Sequence, residues 1–180
     1  AFGEHEVIVE TPSHGEQFEN FSADQLRLVF SAWEHREKEL YSRKAKYVFL
    51  FKNHGPTAGA SIGHEHSQII SLPFVPPVVQ AEEKNNEKKC LLCELLEKEK
   101  QNFVFENDYF TAVRPSFARF PCEFWLVAKE HQNRFNDFDE AQADEFMQAL
   151  AKSARSAKRV SSDYNFFFHS APPRGKLHFH

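Results

Sequence analysis

Glu6–Gln25 reads EVIVETPSHGEQFENFSADQ, and Glu123–Gln142 reads EFWLVAKEHQNRFNDFDEAQ. Laid over one another without gaps, His14, Phe18, Phe21 and Gln25 fall on His131, Phe135, Phe138 and Gln142, each 117 positions later. Further along, His54 leads in ten steps to His64-x-His66, and His169 leads in nine to His178-x-His180. Matching punctuation at a nearly constant offset is the mark of an internal repeat. The chain therefore reads as two copies of one unit.

Both copies share a local grammar. A strand (Glu6–Glu10, or Phe124–Lys129) runs into a loop carrying a histidine, and a helix then opens at Ser22-x-x-Gln25 or Asp139-x-x-Gln142, the spacing of a capping box. Leu26, Val29, Phe30 and Trp33 make one apolar stripe, and Phe146, Leu150 and Ala154 the other, so each helix can cover one face of a sheet. Strands are predicted at Tyr47–Phe51 and Asn165–Phe168, and a last strand in each copy carries the His-x-His. Val75–Lys89, with Pro76-Pro77 and the polar run AEEKNNEKK, predicts a solvated linker. The expected fold class is α+β, two tandem units each built as an antiparallel sheet with a covering helix. Their boundaries are placed at 1–79 and 90–180 with the linker at 80–89. Because Ala1 is not Met and His180 stands inside an alternating pattern, the chain is expected to be a fragment cut at both ends.

Composition narrows the function classes. With 41% hydrophobic and 27% charged residues over 180 positions, the chain is neither disordered nor collagenous. No run approaches the ~18 apolar residues of a membrane span, and Ala1 opens no signal segment, so no membrane partner and a cytoplasmic location are expected. A net charge of -4 with scattered Lys and Arg argues against a nucleic-acid partner, while leaving room for a local phosphate pocket. Three cysteines are too few, and odd in number, for a disulfide framework. Cys122, beside Pro121, is expected to be a packing residue.

The histidines point to chemistry. Alternation along a strand puts His64, His66 and Gln68 on one side, preceded by a loop in which Gly55, Gly59 and Gly63 let backbone N–H groups approach an anionic oxygen. A neutral imidazole next to a bound phosphate can attack phosphorus with one nitrogen while the other donates a hydrogen bond that fixes the tautomer. The same His-x-His spacing also suits a pair of metal ligands or a polar face, and spacing leaves these open. In the second copy, Cys90 and Cys93 have the two-residue gap with which thiolates share zinc, and His131 and His178 complete a closed set of four ligands. A redox pair is the rival for these cysteines, but no thioredoxin-like context surrounds them. His14 and His64 occupy the same landmarks in the first copy, whose matching Cys pair would lie before Ala1.

The stretch NHGPTAGASIGHEHSQIISLPFVPP, Asn53–Pro77, resembles the active-site segment of the galactose-1-phosphate uridylyltransferases, members of the histidine triad superfamily with two tandem units. TPSHGE, CLLCE, EFWLVAKEH and LHFH extend the resemblance over nearly the whole chain. It implies a ping-pong transfer of a uridylyl or adenylyl group between a sugar nucleotide and a hexose-1-phosphate, through a nucleotidyl-histidine. His66 would be the nucleophile and Gln68 would bind the transferred phosphate. Asn53, Gly59 and Ser61 would contact the nucleotide and its phosphates. His14 and His64 would bind zinc with a Cys pair, and a homodimer is expected. Ser67 stands where the family usually has Gly, and HSQ with a following Pro-rich segment is also similar to the ADP-glucose phosphorylase branch. Other members hold a second metal, zinc or iron, through a Glu and three histidines, for which Glu82, His169, His178 and His180 are available. No Gln follows His180 within the chain, which assigns the second unit a structural or substrate-framing role.

Overall fold

The computed structural model describes residues 3–86 and 89–180. Ala1 and Phe2, at the start of the expected first unit, and Glu87 and Lys88, inside the expected linker, lie outside the described residues. In the first copy, β1 (His5–Val9) and β2 (Tyr47–His54) flank β3 (His66–Leu72), all antiparallel, with α1 (Ala23–Ser42) between β1 and β2 in the chain. In the second, β4 (Phe103–Glu106), β5 (Phe110–Val113) and β6 (Trp125–Ala128) form an antiparallel sheet, followed by α4 (Glu140–Ala157) and β7 (Tyr164–Phe167). The α+β class with antiparallel sheets and covering helices is what the repeat predicts.

β7 does not stay with its own copy. It pairs antiparallel with β2, Phe51 opposite Phe167 and Asn53 opposite Asn165, giving the sheet order β1-β3-β2-β7. Beyond β7, His169 and His180 exchange backbone bonds, and Phe179 N donates to the Gln132 carbonyl. Leu177–His180 thus takes, in the second copy, the place between two neighbours that β3 takes in the first. The expected last strand of the second copy forms no regular strand; its two backbone bonds with His169 measure 2.9 and 3.4 Å.

Two further expectations are corrected. Most of the expected linker is helix: α2 (Pro77–Asn86) runs through it, and α3 (Leu91–Lys98) opens the expected second unit. Proline is tolerated at a first helical position, and buried Val79 gives α2 an anchor against Tyr47, Ala171 and Leu177, while Gln80, Ala81, Lys84 and Asn85 are exposed. Cys122 is exposed and has a positive φ of 65°, so it is a turn residue and not a packing one.

Phenylalanine makes the core continuous across the copies. Phe30 and Trp33 of α1, Phe146 and Leu150 of α4, and Phe135, Phe168 and Phe179 fall in one buried cluster. Asp139 and Gln142 form the full reciprocal capping box. At the first helix Ser22 caps Gln25 N, but the Gln25 amide reaches instead to the Glu10 carbonyl, tying α1 to the end of β1. The described residues contain no helix long and apolar enough to cross a membrane.

Glu37 of α1 is buried at this junction and accepts a hydrogen bond from Asn136 Nδ2 in the second copy. Burial pushes its carboxyl up to about 8, against the downward pull of Arg134. Between its ordinary value and about 8, the folded chain holds a proton that the unfolded chain has released, so stability falls as pH rises through that window. Glu37→Gln should therefore stabilise the protein by about 3 kcal/mol at neutral pH, at ~1.4 kcal/mol per pH unit, with the gain vanishing near pH 4. Urea unfolding at several pH values tests this; a gain of equal size at all pH values would contradict it.

Candidate functional site

Three groups of side chains gather around the His-x-His segments. The first is a cleft of about 350 Å³ at the end of the β1-β3-β2 sheet, lined by Gln17, Asn53, His54, Ser61, His64, Glu65 and His66 among others. Residues 55–63 form its loop. Gly55 and Gly59 hold φ of 86° and 88°, which side-chain-bearing residues rarely adopt, and their turns close through Gly59 N to the Pro56 carbonyl and Ala60 N to the Gly55 carbonyl. Gly63 has no such requirement.

Backbone carbonyls set the imidazoles. His66 Nδ1 lies 2.7 Å from the His64 carbonyl, which can only accept, so Nδ1 carries the proton and Nε2 keeps its lone pair. His64 Nε2 donates to the Thr11 carbonyl at 2.7 Å, which leaves its Nδ1 bare, 3.2 Å from His14 Nδ1. Because β3 begins at His66, alternation aligns His66 with Gln68 only; His64 sits in the preceding bend and is placed by Thr11 instead. Gln68 Oε1 is held by His5 Nε2 at 3.0 Å, so its amide N–H group is the free end. Ser67 points the other way and accepts the buried Trp33 indole N–H at 2.7 Å, a partner that a glycine could not supply.

The second group is Cys90, Cys93, His131 and His178, whose ligand atoms lie within 4.8 Å of one another. His178 Nε2 donates to the Ala128 carbonyl at 2.8 Å and aims Nδ1 at Cys90 Sγ (3.2 Å) and Cys93 Sγ (3.4 Å). Ala128 is 117 positions after Thr11, so the second copy repeats the first copy's orienting carbonyl as well as its histidine. Burial lowers His178 to about 4, keeping its lone pair available at neutral pH. Cys93 is raised to about 11, first by burial and then by the neighbouring Cys90, an unfavourable pairing that a shared cation would relieve. The donor set could hold zinc as a closed four-ligand site.

The third group is Glu82, His169 and His180. His169 Nδ1 meets both Glu82 oxygens, at 2.8 and 2.9 Å, and burial lowers His180 to about 4. His178 was expected to be available to this set; it turns to the cysteines, so the two groups are separate places with no shared ligand. Glu82 reaches its position because the expected linker is a helix.

The sequence reading missed the charges beneath the cleft. Lys52, nearly inaccessible, pairs with Glu10 at 2.5 Å and with Glu65, and donates to the His66 carbonyl at 3.0 Å. Glu65 also holds His54 Nδ1 at 2.7 Å, and the His54 ring stacks on Tyr164. Burial raises the Glu10 carboxyl despite Lys52. A lone lysine within the apolar run YVFLFK was the available signal, since a cation in a covered strand needs a buried partner.

Residues 1–76 match the family described as galactose-1-phosphate uridyl transferase, N-terminal domain. The chain is 31% identical to an ADP-glucose phosphorylase of Arabidopsis thaliana over 95% of this chain and 51% of that protein. It is 32% identical to a galactose-1-phosphate uridylyltransferase of Thermotoga maritima over 91% of this chain and 52% of that one. The crystal structure of the Arabidopsis ADP-glucose phosphorylase with bound ADP-glucose superposes with a TM-score of 0.89 at 28% identity, covering 99% of this chain and 62% of that one. Residues 1–76 thus match the N-terminal domain of that family, and the chain as a whole is similar in sequence and fold to proteins bearing these two names. It spans about half the length of the curated relatives it matches.

Lys52→Met leaves two buried carboxylates facing each other and should cost about 3–5 kcal/mol of stability. Adding Glu10→Gln should recover part of that loss. Denaturant midpoints of the two variants decide it; an unchanged midpoint for Lys52→Met would contradict the buried-pair account.

Proposed function

We propose that the full-length protein is a nucleotidyltransferase acting on sugar nucleotides and sugar-1-phosphates through a nucleotidyl-His66 intermediate. The observation that carries this is the His66 tautomer: Nδ1–H is tied to the His64 carbonyl, so the bare nitrogen is Nε2, in a cleft beside a loop with two positive-φ glycines. His66 Nε2 attacks the α-phosphorus of the sugar nucleotide, the bond from phosphorus to the bridging oxygen breaks, and the sugar-1-phosphate departs with that electron pair. A phosphate oxygen of the incoming hexose-1-phosphate then attacks the same phosphorus and returns His66 to its neutral state. Gln68 and Asn53 amide N–H groups and the loop around Gly59 and Ser61 steady the charge on the non-bridging oxygens. The Lys52 bond to the His66 carbonyl holds the nucleophile's backbone.

Zinc fits two places in this reading. Cys90, Cys93, His131 and His178 would hold one ion as a structural link between α3 and the end of the second copy. His14 and His64 would hold another with a cysteine pair from outside this chain. Glu82, His169 and His180 offer an oxygen and two nitrogens, which suits zinc or iron. The leading substrate reading is UDP-glucose with a hexose-1-phosphate acceptor. ADP-glucose phosphorolysis is the second, favoured by the likeness to the Arabidopsis protein named for that activity.

Intact-mass measurement of the full-length protein after separate exposure to UDP-glucose and ADP-glucose should show one added uridylyl or adenylyl group, absent in His66→Ala and retained in His180→Ala. An adduct that survives His66→Ala would overturn the assignment. Cys90→Ser should lower zinc content by about one equivalent and reduce the melting temperature, with adduct formation less affected. Unchanged zinc in that variant would remove the four-ligand reading.

A further inference from the structure

The glycine loop of the first copy is gripped by residues of the second. Asp163 Oδ2 accepts from Thr57 N at 2.7 Å and from Thr57 Oγ1 at 2.5 Å. Its carboxylate packs so closely on Gly55 that a Cβ there would fall 2.3 Å from it. Two residues on, Asn165 Nδ2 donates to the Ala58 carbonyl at 2.8 Å and to Asn53 Oδ1 at 2.7 Å. This follows from the register that joins the copies, in which Asn53 lies opposite Asn165.

The hydrogen-bond directions are forced. The Ala58 carbonyl can only accept, so the Asn165 atom that meets it is the NH2 group. The same NH2 group faces Asn53, so Asn53 must present its oxygen there. Its own Nδ2 is left over, beside Gly59, where a Cβ would lie 3.5 Å from it. One backbone carbonyl thus sets two side-chain amides in series, and the end of the series is an N–H donor in the cleft that also holds His66.

We propose that Asn165 is a positioning residue for phosphate recognition: acting from the second copy, it fixes the Asn53 amide so that Nδ2 donates to an anionic oxygen of a bound nucleoside diphosphate sugar. The inference rests on the phosphate-binding role proposed above for Asn53. It gives the second copy a part in the first copy's site. Asn165 itself is exposed, so its two bonds contribute little to global stability. Their function is orientation.

The test is a double-mutant cycle in the full-length protein, read as equilibrium binding of UDP-glucose and of ADP-glucose by calorimetry. Asn165→Ala should weaken binding of the better ligand about tenfold in the wild-type background and less than about twofold in Asn53→Ala, because there is then no amide to orient. The melting temperature should move by less than about 2 °C. Asn165→Asp, which only accepts, should repel the Ala58 carbonyl and draw the Asn53 NH2 group toward itself, weakening binding at least as much as Asn165→Ala. Equal losses in both backgrounds, no loss in Asn165→Ala, or a loss that tracks a large fall in melting temperature would overturn the proposal. The His66 adduct is measured separately: binding and coupling without an adduct would sink the transfer chemistry and leave the positioning role standing. A wild-type protein that binds neither sugar nucleotide would overturn both.

Discussion

A backbone carbonyl has no proton to give, and that constraint organises the chemistry of this chain. Thr11 and Ala128 each take the Nε2 proton of a histidine, leaving Nδ1 of His64 and His178 bare. The carbonyls of His64 and His178 in turn take the Nδ1 protons of His66 and His180, leaving Nε2 bare. Four imidazoles that would otherwise interconvert between tautomers are each committed to one. Lone pairs of the first kind suit metal coordination, and the second kind suits attack on phosphorus when an anion-binding loop lies alongside.

The two copies diverge in what surrounds these rings. Around His66 are the Gly55–Gly63 loop and Gln68, whose amide His5 holds with its N–H end free. Around His180 are Glu82 and His169. Around His178 two thiols converge, brought in by the N-terminal turn of α3, where Cys90 also caps the helix by accepting from Cys93 N. Duplication therefore supplied one scaffold twice, and the side chains added to each copy give its histidines different neighbours.

Beneath the cleft, one lysine balances two carboxylates in a place without water access. Isolated, any of the three would be costly to bury; together they link β1, β2 and the residue before β3, and Lys52 also holds the peptide that carries His66. The Trp33–Ser67 bond pins the following residue of β3 to α1. The backbone of His66 is thus held from below by polar contacts, while its ring is set from within the chain by a carbonyl two residues back. Such support keeps the bare ring nitrogen in a fixed place.

The repeat, the element types and the histidine and cysteine candidates were legible in the sequence because they depend on short-range spacing: capping boxes, apolar stripes and His-x-His pairs lie within a few residues of one another. Even the Thr11 and Ala128 carbonyls follow from the offset of 117, although backbone groups carry no letter that marks them. The helical character of Pro77–Asn86 and Leu91–Lys98 was hidden, since a polar run is compatible with a solvated loop and with the outer face of a helix, and only the burial of Val79 and Leu92 separates the two. Long-range pairing decided the rest. Nothing local says that β7 leaves its own copy to pair with β2, that Lys52 meets Glu10 across 42 positions, or that Asn165 reaches Asn53 across 112. Those contacts arise from which strand edges and which buried charges meet when the two copies close over one phenylalanine core, a property of the folded whole that no single segment carries.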